Sequence, residues 1–397
     1  MTKFLIAGYH GVFQHIELKQ MRPLPIQSGL DEYRKQAEEL LQQHLSGDPE
    51  IVKLFHHKHP RFLDEKIPWL PRDIPDSEIL GGQLDMNDAE LVVARFYDFK
   101  DWASLSRHLE QLKDPVVFRF EAAVDAVVNG DLDGLRAFLR ADPELVRARS
   151  ARVTHFDPPV HRSTLLHYVA ANGVEGYRQK TPKNAVEIAR ALLEAGSEPD
   201  SLADLYGGEC TRMTLLVSSC HPAQAGLQSA LVDVLADFGA STDPVGSGKW
   251  KSPLMTALAF GYIDAAQTLV RRGARVENIA AAAGLGQTEQ VRTLLPSSDR
   301  DSRQRALALA AQHGHEDCVR LMLDAGEDPS RYNPDGLHAH TTPLHQAIAA
   351  GHMNVVRLLV ERGAGLDLTD KVYQSTPLGW ATHFGREEIA QYLRAIR

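Results

Sequence analysis

From about residue 115 onward, apolar residues recur in pairs of short helical stripes, each pair broken by a glycine-containing turn and followed by a polar stretch. The clearest pair runs from Thr342 to Ala364. Thr342 carries the oxygen that starts a helix, Pro343 takes the first helical position, where a missing N–H costs nothing, and Gly351-His352 turns the chain back. Val355, Val356, Leu358 and Leu359 then give the second helix its buried face. A weaker copy follows at Thr376-Pro377-Leu378-Gly379-Trp380-Ala381, with its turn at Gly385.

Aligning helix starts gives about eight units, at Glu121, Thr164, Thr214, Ser252, Asn278, Arg305, Thr342 and Thr376. Their spacings are 43, 50, 38, 26, 27, 37 and 34 residues, so long units carry insertions and short ones have lost a segment. The units at Ser252 and Asn278 lack the hairpin finger that should precede the next helix, which predicts a gap in the row of fingers. The unit at Thr164 has a long loop between its helices, residues 173–184, and a finger from Asp200 to Arg212 containing Tyr206-Gly207-Gly208. The next unit repeats the insertion at residues 218–228. Two adjacent long loops are expected side by side at one edge of the array, where function is most often grafted.

Residues 1–114 lack this period and read as a helical extension that caps the array, with residues 115–397 forming the repeat domain. Asp31 to Leu45 and Pro49 to Phe55 are predicted helices, Pro60 ends the second, and Asp88 to Phe99 with Asp101 to Leu112 form a helical pair. That pair is expected to close the open end of the first repeat.

The phrase from Thr342 to Ala364 resembles the ankyrin family, whose repeat is about 33 residues, and the likeness extends over roughly residues 118 to 397. It implies an all-α ankyrin-repeat solenoid preceded by a helical N-terminal extension. The run Asn172 to Gln179, with Tyr206-Gly207-Gly208, His221 to Gly226 and Tyr97-Asp98-Phe99-Lys100-Asp101-Trp102, looks like a widespread group of bacterial ankyrin-repeat proteins. That likeness implies a bacterial cytoplasm and no established activity.

Charge narrows the partners. Against 43 Lys and Arg stand 52 Asp and Glu, divided 14 against 19 in residues 1–114 and 29 against 33 beyond, so no segment is basic enough to hold a phosphate backbone. Nucleic acid is not expected. No run approaches the apolar length of a membrane span, and Phe4-Leu5-Ile6-Ala7 is too short for a signal peptide. Cys210, Cys220 and Cys318 show no metal or disulfide spacing. A cytoplasmic, unprocessed monomer without cofactor or metal is the expectation.

Candidate chemistry is sparse. His56-His57-Lys58-His59 reads as a solvated helix end, and His338-Ala339-His340 lacks a carboxylate or cysteine neighbour to complete a metal site. His167 and His345 follow Thr-x-Leu and are structural. Ser218-Ser219-Cys220-His221 has no oxyanion motif around it, and Gly246-Ser247-Gly248-Lys249 is not a complete phosphate loop. The chain is read as a non-enzyme that binds a protein or peptide on the concave surface, through Trp250, Phe260, Tyr332, Tyr373, Trp380, His383 and Phe384. The alternative is a small-ligand sensor or hydrolase-like enzyme. Its pocket would lie between the paired loops, formed by Glu175, Tyr177, Arg178, Tyr206, Glu209 and His221, with Arg178 gripping an anion and His221 as acid or base.

Overall fold

Many helix starts in this chain are set by side-chain oxygens that accept the first free backbone N–H groups. The computed structural model describes residues 21–65, 67, 70–246 and 251–396. Among them, residues 21–241, 245, 246 and 251 form one compact unit, and residues 242–244 and 252–396 form another.

The N-terminal unit opens with α1 (Leu30–Leu45), α2 (Pro49–Lys58), α3 (Asp76–Leu80), α4 (Met86–Phe96) and α5 (Trp102–Gln111). Asp48, Asp85 and Asp101 cap α2, α4 and α5. The apolar faces close on one core containing Tyr33, Leu54, Phe55, Val92 and Leu105. The end of α2 is not solvated as expected: His59 is buried with Nε2 3.0 Å from Asp88 Oδ1, and His56 Nε2 lies 2.7 Å from the Arg72 carbonyl.

Helix pairs follow. In the same unit these are α6 (Pro115–Asn129) with α7 (Leu132–Ala141), α8 (Leu165–Val169) with α9 (Ala185–Glu194), and α10 (Arg212–Leu216), then the short α11 (Cys220–Gln224) before α12 (Gln228–Asp237). Strands β1 (Leu202–Leu205) and β2 (Gly208–Thr211) pair antiparallel with Leu205 opposite Gly208, forming the predicted finger. Its two-residue turn has both central residues left-handed, Tyr206 at φ 60 and Gly207 at φ 75, which matches the twist of a hairpin.

The C-terminal unit contains five pairs: α13 (Pro253–Ala259) and α14 (Ile263–Arg271), α15 (Ile279–Gly284) and α16 (Thr288–Leu294), α17 (Arg300–Gln312) and α18 (Glu316–Asp324), α19 (Pro343–Ala350) and α20 (Met353–Glu361), and α21 (Pro377–His383) and α22 (Glu387–Ala395). Three helices begin earlier than the alignment placed them, at Pro115, Arg212 and Arg300 instead of near Glu121, Thr214 and Arg305. The reason is that Asp114, Thr211 and Asp299 supply the caps.

His167 and His345 are structural, as expected. Each Nδ1 lies 2.9 Å from the hydroxyl of the capping threonine, Thr164 or Thr342, and near that residue's backbone N–H, tying the helix start to its first turn. Successive repeats of the C-terminal unit are joined by a recurring device at the opposite end. His315 Nε2 lies 3.0 Å from the Gly284 carbonyl, and His352 Nε2 lies 3.0 Å from that of Gln312. Arg386 fills the same place, donating from Nη2 to the Ala349 carbonyl at 2.7 Å. Each ring or guanidinium reaches the last carbonyls of the preceding first helix, groups that have no partner within their own helix.

The expected gap in the fingers is partly covered by a later loop. Gln304 and Arg305 of α17 donate to the carbonyls of Arg331 and Asp335, and His338 Nε2 lies 2.8 Å from the Ala259 carbonyl at the end of α13. Residues 331–341 thus run along α17 and reach two repeats back, a length that the missing finger before α15 makes available.

The turn glycines give a graded test. A Cβ on Gly314, at φ 75, would fall 2.6 Å from His352 Nδ1, whereas one on Gly363, at φ 88, would meet nothing within 4 Å. Gly363→Ala is expected to cost about 1 kcal/mol of stability from its left-handed backbone alone. Gly314→Ala should cost at least about 2 kcal/mol, since it also displaces the His352 ring. Denaturant unfolding of the two variants checks the order.

Candidate ligand pocket

The site is assembled where the helical segment before residue 114 meets the first repeats of the N-terminal unit. After α4 the chain turns at Asp98, whose left-handed φ of 61 puts Tyr97 and Phe99 on the same wall. Asp98 is buried and pinned on several sides: its Oδ2 accepts the Gly176 N–H, and Lys58 Nζ lies 3.7 Å from Oδ1. Gly176–Arg178 forms a single 3₁₀ turn, which directs Tyr177 and Arg178 inward. The inter-helix loop at 173–184 is therefore folded against the helical segment.

Two guanidiniums lie at the centre, each with its side chain 3% exposed. Arg178 donates from Nη1 to Glu121 Oε2 at 2.5 Å, and from Nε and Nη2 to Asp125 Oδ1 at 3.1 and 2.9 Å. Arg152 donates from Nη1 to the Tyr177 hydroxyl at 2.9 Å and from Nη2 to the Tyr97 carbonyl at 2.6 Å, and its guanidinium carbon sits 4.1 Å from the centre of the Phe99 ring. Glu175, fully buried, has Oε1 3.0 Å from His161 Nε2 and 3.6 Å from Arg152 Nε. Charges this deep persist only when paired.

Burial opposes ionisation of Glu121, but Arg178 and Arg152 outweigh it and hold the carboxyl below its usual range. Burial likewise opposes ionisation of Glu175, and there His161 and the two arginines prevail. Burial pushes the Tyr177 phenol well above its usual value and lowers His108 to about 4, leaving both neutral.

Around this cluster lies a cavity of about 270 Å³. Its walls include Tyr33 of α1, Tyr97, His108 of α5, Glu121 and Asp125 of α6, and Arg178, with Leu24 and Ile26 at the lip. Tyr33 is 6% and His108 7% exposed, and neither the phenol oxygen nor the imidazole nitrogens have a hydrogen-bond partner among the described residues.

Of the six residues expected in a loop pocket, the structure brings Glu175, Tyr177 and Arg178 together and leaves the other three out. Tyr206 braces the hairpin turn through its hydroxyl, 2.6 Å from Asn172 Oδ1; Glu209 is exposed on β2; and His221 is half-buried in α11. The two loops diverge because the first folds onto the helical segment, whereas the second winds into α11. There Ser218 and Ser219 bond backbone carbonyls, and burial raises the Cys220 thiol. Arg178, expected to grip an anion, already donates to the carboxylates of Glu121 and Asp125. Arg152 carries no signal in the sequence: it stands in a segment without periodicity, and no motif marks it as buried.

The aromatic residues expected on the concave surface also separate. Trp250 lies outside the described residues. Phe260 and Trp380 are 5% and 6% exposed and belong to the interior, Trp380 donating from Nε1 to Asp370 Oδ2 at 3.0 Å. Tyr332 is half-buried beneath Lys371, whose Nζ is 4.2 Å from the ring centre, and its hydroxyl donates to the Thr369 carbonyl. Phe384 is half-buried against Trp380, while Tyr373, 38% exposed, and His383 remain at the surface.

Comparison with known proteins agrees with this architecture. A family model described as ankyrin repeats in three copies matches residues 330–396, and one described as a single ankyrin repeat matches residues 303–334. Human cyclin-dependent kinase inhibitor 2A is 30% identical over 122 residues, which is 30% of this chain and 75% of that protein. The chain belongs to the ankyrin-repeat family. Among its other ankyrin relatives, the ankyrin repeat and KH domain-containing protein mask-1 of Caenorhabditis elegans is 28% identical over 215 residues, covering 52% of this chain and 8% of that protein. The ankyrin repeat and SAM domain-containing protein 6 of Mus musculus is 36% identical over 104 residues, covering 25% and 11%. The chain thus spans about a tenth of the length of these two relatives. Among the described residues, no group of three or more His, Cys, Asp or Glu is arranged to hold a metal ion, and no helix is long and apolar enough to cross a membrane.

Two outcomes follow from the buried charges. Arg178→Met leaves Glu121 and Asp125 facing each other without their guanidinium and should lower stability by about 3–5 kcal/mol, read by denaturant unfolding. Stability should also fall with pH. His108, His313, His340 and His345 hold protons less tightly when folded, near 4 against an ordinary 6.5, each chiefly through burial. The unfolded chain therefore takes up protons first as the pH drops from 6.5 to 4. Glu121 and Glu175, lowered from 4.5, extend the loss to lower pH. Unfolding midpoints measured from pH 7.5 to 3.5 check this direction.

Proposed function

We propose that the chain is a protein-interaction scaffold whose partner, a protein or peptide segment, docks on the fingers and first helices of its last repeats. Ankyrin arrays offer a rigid surface with little chemistry of their own, and their finger tips vary without disturbing the stack. The observation that carries the reading is the finger before α21. Asp370 accepts the N–H groups of Val372, Tyr373 and Ser375 as well as the Trp380 indole N–H, so one buried carboxylate fixes a turn that presents Tyr373 at the surface. An aromatic ring held in place before binding loses little freedom on contact, the property expected of an interface anchor.

The same proposal includes the helical segment up to residue 114 as a cap on the first repeat, and a monomer in a bacterial cytoplasm. The setting is supported by the run from Asn172 to Gln179 and its companion motifs. The role proposed is binding, without catalysis.

Affinity capture with the full chain tests the surface, comparing wild type with a Tyr373→Ala, His383→Ala variant whose unfolding midpoint is unchanged. A partner recovered by wild type and reduced at least about tenfold by the variant is the expected result. Equal recovery by both would move the interface off these repeats.

A further inference from the structure

The cavity wall on α6 has more acceptors than the protein fills. Glu175 meets His161 and Arg152 through Oε1, and Glu121 and Asp125 share Arg178, with Arg152 Nη1 3.8 Å from Glu121. Arg178 uses Oε2 of Glu121 and Oδ1 of Asp125. Glu121 Oε1 and Asp125 Oδ2 receive no hydrogen bond from the described residues. Each terminal nitrogen of the two guanidiniums already donates one hydrogen bond to a protein oxygen. Lys180 at the rim is solvated, with its Nζ 3.4 Å from Asn129 Oδ1.

The free acceptors do not stand alone. The Tyr33 phenol and His108 imidazole are both more than nine-tenths buried, line the same cavity, and have no hydrogen-bond partner among the described residues. Buried polar groups of this kind are normally satisfied, so an empty donor or acceptor facing a cavity marks where a ligand or water sits. Glu121, Asp125 and Glu175 outnumber the two buried guanidiniums by one charge, and a cation compensates that charge best where water is partly excluded. The remaining surface, Leu24, Ile26 and Leu112 with the Tyr33 ring, is apolar or aromatic. At about 270 Å³ the space lies just below the roughly 300–1,000 Å³ of drug-sized sites.

We propose that this cavity binds a small organic ammonium cation. Its N–H groups meet the free oxygens of Glu121 and Asp125, its carbon body lies against Leu24, Leu112 and Tyr33, and the Tyr33 hydroxyl and His108 ring complete its polar contacts. The site is independent of the finger surface and stands whether or not the repeats bind a protein.

Isothermal titration of the full chain at pH 7.5 with tyramine and n-butylamine, against n-butanol and butyrate, tests it. Tyramine is expected to bind more tightly than n-butylamine, and the neutral and anionic analogues should bind at least about tenfold more weakly than their amine counterpart. Asp125→Asn, which keeps a carbonyl oxygen for Arg178, should weaken tyramine at least about tenfold. Leu112→Trp fills the cavity from a half-buried position and should abolish binding while the unfolding midpoint is kept. The proposal is overturned if no amine binds at millimolar concentration, if n-butanol or butyrate binds as well as n-butylamine, or if Leu112→Trp binds tyramine as wild type does.

Discussion

The N-terminal unit depends on the burial of two guanidiniums, Arg152 and Arg178, among three carboxylates. An arginine cannot be taken out of water unless its donors are met, and here the partners come from well-separated stretches of chain: Tyr97, Glu121, Asp125, Glu175 and Tyr177. Each of these elements must therefore be in place for the others to be stable. The turn at Asp98 and the single 3₁₀ turn at Gly176–Arg178 follow from that demand, since both aim side chains at the same few ångströms of interior. A buried ion cluster contributes less to net stability than its Coulomb attraction suggests, but it penalises every arrangement that leaves a charge unpaired.

The C-terminal unit solves the stacking problem with neutral groups. Its histidines at 315 and 352 reach the carbonyl ends of the preceding helices and lie on the turn glycines at 286 and 314, and burial keeps His313, His340 and His345 unprotonated near neutral pH. Arg386 does the same work at the last junction with a permanent charge, near the end of the array. One fold thus joins its layers in two ways. The ionic cluster carries unfilled acceptors and a cavity, whereas the histidine junctions are closed and serve to hold repeats that present a surface.

Much of this fold is legible in the residues. Thr342, Pro343 and Gly351 have local, short-range jobs, so their pattern gives the helix, its start and its turn without reference to anything distant. Boundaries slipped where a cap stood a few residues before the aligned position, as at Asp114 and Asp299, because an aspartate followed by a charged or apolar residue carries less periodic signal than Thr-Pro-Leu-His. The candidate site was half legible. Tyr177 and Arg178 stand out in the sequence because they interrupt a repeat, but their partners do not, since Arg152, Tyr33 and His108 are brought to them by tertiary packing. Trp380 illustrates the reverse error: an aromatic ring on a first helix reads as part of the concave surface, yet Asp370 supplies an indole partner and lets the ring turn inward.

The arginine cluster is expected to make the segment before residue 114 and the first repeats open as one body. Native-state hydrogen exchange on the full chain, in wild type and in Arg152→Met, tests it most directly. Protection in α1, α4, α6 and α9 should share one opening free energy in wild type and fall together in the variant. Independent, lower protection of α1 and α4 in wild type, unchanged by Arg152→Met, would contradict it.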